Sequence, residues 1–126
     1  MAGVTLDSGA LIGFERADRR VVAHLKEIAL RGGELTVPTA VVAEVWRGGA
    51  RSARVTVLLR ACVVEPLIED LARVAGEAIA AVKGAGVVDA VVMSSAARRG
   101  DRVMTTDLDD LSRLGAYFPQ VRLIAV

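Results

Sequence analysis

Cysteine is almost missing from this 126-residue chain, where Cys62 stands alone. That rules out an internal disulfide and any cysteine-based zinc site. Histidine is as scarce. His24 sits at the edge of an apolar helical stripe with no serine or cysteine motif beside it, a poor basis for a histidine-activated nucleophile. Aromatic residues make up only 3% of the chain, so the hydrophobic mass is Ala, Val and Leu and the core is expected to be aliphatic. No apolar run approaches the length of a membrane span. The N-terminus lacks a basic lead-in, and Val4 to Leu6 is far too short for a signal-peptide core, so no membrane partner is expected and the cytosol is the simplest placement. A formal net charge of +1 gives no bulk attraction for nucleic acid, which leaves any steering to local patches. Arginine outnumbers lysine fourteen to two; Arg suits phosphate, but a biased coding composition produces the same skew. The length accommodates one domain over residues 1–126, with a single core.

What the chain does have is alternation. The stretch Val4-Thr5-Leu6-Asp7-Ser8-Gly9-Ala10-Leu11 runs from an apolar strand into a carboxylate and then into a helical pattern starting at Ala10. Residues 16–31 carry Val21, Val22, Leu25, Ile28 and Ala29 at helical spacing, stopped by Gly32-Gly33. A strand is expected at 35–37, with Pro38 in the first turn of a helix over 39–47. A further helix is expected over 51–60, a third strand over 61–65 with Cys62 inside it as a small buried hydrophobe, and a long helix over 68–83. Beyond Gly84 and Gly86, residues 87–99 read as a buried helix ended by Gly100. A strand at 103–105, a short helix at 108–114 and a last strand at 121–126 complete the pattern. Such alternation implies an α/β fold: three layers, α/β/α, around a mainly parallel five-stranded sheet.

Four acids fall at telling places in that scheme. In an open α/β sheet, ligands bind just outside the carboxyl ends of the strands, where Asp7 and Asp107 both lie. Each also has an ordinary structural explanation as the N-cap of the helix that follows. Glu44 is set among Val41, Val42, Val45 and Trp46, with little polar margin, and is otherwise a solvated helix residue. Asp89 is the most informative, because Val87-Val88-Asp89-Ala90-Val91-Val92-Met93 puts a carboxylate on an apolar helix. An ionised group there costs several kcal/mol unless something pairs with it; the helix dipole just after Gly86 is the alternative compensation. Brought together, these acids repel one another, and a hard divalent cation held by oxygen relieves that repulsion. Carboxylate clusters of this kind seat Mg²⁺ or Mn²⁺ for displacement at phosphorus.

Four segments in order then resemble a known family. They are Leu6-Asp7-Ser8-Gly9-Ala10-Leu11, Pro38 through Val45 with Glu44, Val88-Asp89-Ala90 followed by Ala96-Ala97, and Thr105-Thr106-Asp107 with Asp110-Leu111. Together they are similar to PIN-domain ribonucleases, most closely the VapC toxins of bacterial toxin–antitoxin pairs. The resemblance implies metal-dependent endoribonuclease activity, with Asp7, Glu44, Asp89 and Asp107 as the catalytic quartet holding Mg²⁺ or Mn²⁺. It implies in-line hydrolysis leaving a 5′-phosphate and a 3′-hydroxyl. Ser8 and Thr105 match supporting polar positions and Asp110 a further, variable acid. A homodimer, an RNA substrate and a VapB-type antitoxin whose C-terminal segment enters the site are implied as partners. Gly9 departs from the pattern, since many members carry a second Ser or Thr there.

Arg47, Arg51 and Arg54 could cradle RNA phosphates or meet the antitoxin, or form a solvated basic face. Arg98, Arg99 and Arg102 make a second group of the same kind. Trp46 is expected in core or dimer packing. Two rival functions differ in kind. A phospho-acceptor receiver needs a second acid beside the first, where this chain has Ser8, and a late lysine, where the only candidate is Lys83. A non-catalytic module that binds RNA or antitoxin is the other, but four acids would weaken plain phosphate binding.

Overall fold

The computed structural model describes residues 3–126. Five short parallel strands form one sheet in the order β3-β2-β1-β4-β5. They are β1 (Val4–Leu6), β2 (Leu35–Pro38), β3 (Val63–Glu65), β4 (Arg102–Thr105) and β5 (Leu123–Ala125). Among the described residues seven helices connect them: α1 (Ser8–Glu15), α2 (Arg19–Leu30), α3 (Thr39–Val45), α4 (Ala53–Arg60), α5 (Glu69–Ala81), α6 (Val87–Arg99) and α7 (Leu108–Tyr117). The architecture is the expected three-layer α/β/α arrangement.

The central strand is β1, and both of its neighbours are registered tightly. Thr5 lies opposite Thr36 of β2 and Val103 of β4, and Leu6 opposite Met104. The chain winds outward from β1 through β2 to β3, then returns to the other side of β1 as β4. The order therefore reverses between β1 and β4, and a crevice opens above the carboxyl ends of that pair. Asp7 and Asp107 follow those two strands.

Helix α6 fixes the depth of the core. Every residue from Ala90 to Ala96 is buried, including Val91, Val92 and Met93. A helix apolar on all sides must be covered on all sides, and α6 is packed against the sheet, α5 and α7. Truncating Met93 to Ala in such a place costs about 2–5 kcal/mol. Gly100 ends the helix in the left-handed conformation, at φ 73°, which only glycine adopts without penalty.

Several boundaries differ from the sequence expectation. The long helix over 16–31 starts later, at Arg19, because Asp18 caps it by accepting from the amides of Arg20 and Val21. A turn of 3-10 helix, Gly49–Ser52, precedes α4, so Arg51 and Arg54 do not share one regular helix. The third strand begins at Val63 and lies at the sheet edge, leaving Val63 and Val64 partly exposed. Cys62 is consequently not within the strand but in the bend before it, and is half-buried; burial pushes its thiol up to about 11. Trp46 is not core: at 42% exposure it ends α3 at the surface.

Candidate active site: an acid-walled cleft

The loop between β1 and α1 is set by Asp7 itself. Its Oδ1 accepts from the Ala10 amide at 2.9 Å, capping α1 and satisfying one of the helix's unpaired N–H groups. Asp107 does the same for α7, accepting from the Asp110 amide at 3.2 Å. Capping and site placement thus coincide, because the cap holds each carboxylate at the carboxyl edge of the sheet. Thr105, fully buried at the end of β4, joins the two junctions. Its hydroxyl bonds to the Asp7 carboxylate and accepts from the Asp107 amide at 2.9 Å.

Between these junctions lies a cleft of about 360 Å³. Its walls carry Asp7, Ser8 and Gly9 from the start of α1, Glu44 from α3, Gly86 to Asp89 from the head of α6, and Thr106, Asp107, Asp110 and Leu111 from the head of α7. All four acids singled out from the sequence, with Ser8 and Asp110, border this one cavity. Among the described residues no arginine, lysine or histidine lines it. Arg113 of α7 comes closest in effect: its guanidinium donates to the Lys83 carbonyl at 2.8 Å, holding the turn ahead of α6, and slightly offsets the charge around Asp110.

The electrostatics follow from this placement. Burial raises the Asp7 carboxyl above its ordinary range, partly countered by the Thr105 hydroxyl and the amides of Ala10 and Gly9, while Asp107 adds to the rise. Asp89 is pushed up to about 6, first by burial, then by repulsion from Asp7, Asp110, Glu44 and Asp107. Asp110 is raised by the neighbouring Asp107. The Ser8 hydroxyl is buried and has no protein partner, a costly condition for a polar atom unless something else satisfies it.

Whether such a place suits a divalent cation depends on its donors. They are all oxygen, mostly carboxylate, which is the chemistry of Mg²⁺ and Mn²⁺ sites. The side chains do not form a ready-made shell: among the described residues no three acid, histidine or cysteine groups converge closely enough to hold an ion as they stand. The donor chemistry and the unpartnered Ser8 hydroxyl fit the cation.

Residues 4–117 match the family described as the PIN domain. The chain belongs to the PIN-domain family. Solved structures share the fold at identities too low to speak to more than fold. A chain of the VapBC2 complex of Rickettsia felis, bound to a DNA fragment from their promoter, gives a TM-score of 0.79 at 13% identity, covering 98% of both chains. DNA-bound VapBC from Salmonella typhimurium gives 0.74 at 16% identity over 99% of this chain and 98% of that one. A toxin–antitoxin complex from Klebsiella pneumoniae gives 0.73 at 16% identity over 98% and 97%. No curated protein matches the sequence.

Within this PIN domain the arginines flagged from the sequence divide. Arg47, Arg51 and Arg54 do not line the acid cleft. Arg54 donates to the Phe14 carbonyl at 3.0 Å and lies over the Phe14 ring, and Arg47 donates to the Trp46 carbonyl. Arg99 is no surface phosphate contact: it is tied into the protein by Glu65, Asp101 and Thr5. Thr106, quoted within a motif but not placed in the site from the sequence, does border the cleft; the signal available was its position between Thr105 and Asp107. Among the described residues no helix is long and apolar enough to cross a membrane.

Proposed function

We propose that this PIN domain, acting as one domain over residues 1–126, is a metal-dependent endoribonuclease and the toxin component of a type II toxin–antitoxin pair. The observation that carries the reading is a cleft bordered by five carboxylates, with no basic side chain in its lining among the described residues. Asp7, Asp89, Asp107 and Glu44 would hold Mg²⁺ or Mn²⁺, with Asp110 and Ser8 beside them. Bound there, the cation supplies Lewis acidity toward a phosphodiester and lowers the pKa of water. The chain's own share is placement. Asp7, with one carboxylate oxygen committed to the Ala10 amide, is held in a fixed orientation by Thr105. Asp89, pushed up to about 6 by burial and by repulsion from the neighbouring acids, is the carboxylate whose ionisation a bound cation would favour most. RNA is the substrate in this reading, a VapB-type antitoxin and a second copy of the chain are its partners, and the cytoplasm is its place of action. The match to the PIN family and the fold shared with VapBC assemblies support it.

The test is cleavage of a broad RNA panel with Mg²⁺ or Mn²⁺ by wild type, Asp7→Asn and Asp89→Asn. Each substitution is expected to lower cleavage by about 10²–10³-fold, with near-native circular dichroism. Wild type that binds RNA but cuts none would leave the non-catalytic module, which is the second reading. Variants that cut as well as wild type would remove these acids from the chemistry.

A further inference from the structure

Gly9 lies on the first turn of α1, between the acids of the cleft, and contributes no side chain. The space is not vacant. A Cβ built at position 9 would collide with the Thr106 hydroxyl, and the Asp7 Oδ1 lies 3.4 Å from the same point. Thr106 therefore reaches across from the β4–α7 junction and puts its oxygen where a side chain of residue 9 would begin. Thr106 borders the same cleft as Asp7, Ser8 and Asp107. A larger residue at position 9 would turn the Thr106 hydroxyl out of this place.

From this close approach we propose that Thr106 is a positioning residue of the site, its hydroxyl supplying from α7's approach the polar group that α1 lacks at position 9. The inference rests on the metal-dependent reading above. The hydroxyl is a neutral oxygen donor, and Asp7 is already held by Thr105 and the Ala10 amide, so Thr106 would hold a water between the acids and the cation rather than add charge. Outer partners of this kind are commonly worth 10–100-fold in metal affinity. Thr105 cannot take the role, because its hydroxyl is buried beneath the junction and already engaged with Asp7 and the Asp107 amide.

The experiment measures Mn²⁺ alone, by calorimetry and by the electron paramagnetic resonance spectrum of the bound ion, on the full chain. Thr106→Ala should lose about tenfold in affinity, whereas Thr106→Ser should keep it to within about twofold. Thr106 is exposed, so melting in EDTA should move little for either, which separates positioning from a merely structural role. Gly9→Ser alone should weaken binding through its collision with Thr106. Combined with Thr106→Ala it should recover to within about threefold of wild type, because the hydroxyl returns from the other strand–helix junction. Wild-type affinity in Thr106→Ala, or no recovery in the double variant, would overturn the inference and leave the nuclease reading intact. A wild type that binds no Mn²⁺ would remove both.

Discussion

Two acid clusters in this molecule are built from residues far apart in sequence, and they have opposite completions. On one face of the sheet, Glu65 at the end of β3 and Asp101 ahead of β4 converge on Arg99. Its guanidinium donates to Glu65 at 2.5 Å, to Asp101 at 3.0 Å and to the Thr5 hydroxyl at 2.6 Å. Thr5 in turn donates to Asp101, and Ser95 donates to the second Glu65 oxygen at 2.6 Å. Every carboxylate there has a cation and a hydroxyl. In the cleft above β1 and β4, five carboxylates border one cavity, and among the described residues the Ser8 hydroxyl has no partner and no basic side chain enters the lining. The protein evidently can build a satisfied acid cluster from its own residues. Left without a built-in cation, the other is where the proposed nuclease would take up an external one.

Removing the cation from the completed cluster should have the largest effect on folding. Arg99→Met strands the buried Asp101 and the partly buried Glu65, and losing one partner of such a network costs about 3 kcal/mol, read by urea denaturation, with Mn²⁺ binding unchanged. Adding a cation to the incomplete cluster is the reciprocal change. Glu44 is exposed and borders the cleft, so Glu44→Arg should weaken Mn²⁺ binding about tenfold, roughly 1.4 kcal/mol, with the fold retained; unchanged affinity would show that the cleft does not hold the ion.

The smallest effect is on the metal-free protein. Asp89 has its carboxyl raised in the folded state to about 6 from an ordinary 3.8. The favourable contribution of its protonated form is therefore present below about pH 4 and is lost as pH rises through about 6. At neutral pH the charged group works against folding. A two-unit rise in a fully shielded site would be about 3 kcal/mol; for a half-buried group screened by solvent, about 1 kcal/mol is expected. Asp89→Asn should stabilise the protein in EDTA at pH 7 by that amount and lose its advantage at pH 4. A lower melting temperature at pH 7 would mean that Asp89 is held by contacts rather than repelled.

The contrast between the clusters was only half legible in the sequence. Asp7 and Asp107 could be found because a strand followed by an acid and a helical pattern is a local signal, and Asp89 because a charge among valines is anomalous. That they share one cavity required the strand order, and nothing local says that β4 returns beside β1. Arg99 illustrates the same gap: in sequence it is one of three clustered arginines, and only the placement of Glu65 and Thr5 beneath it separates it from Arg98 and Arg102. The late start of α2 was hidden because Ala17 takes a left-handed conformation, φ 57°, that no propensity assigns to alanine. The exposure of Val63 and Val64 was not legible, because an apolar pair does not reveal whether its strand is central or at the edge. Helix α6 was readable to the residue, with Gly86 before it and Gly100 after it both marked.

Strand β4 has one more consequence, for synthesis. It is a hundred residues downstream of the strand it pairs with, and it is followed directly by Thr106 and Asp107. A chain still emerging from the ribosome without that segment has β1 bare on one flank and a cleft with one wall missing. The cleft is thereby completed only after nearly all of the described fold has been made.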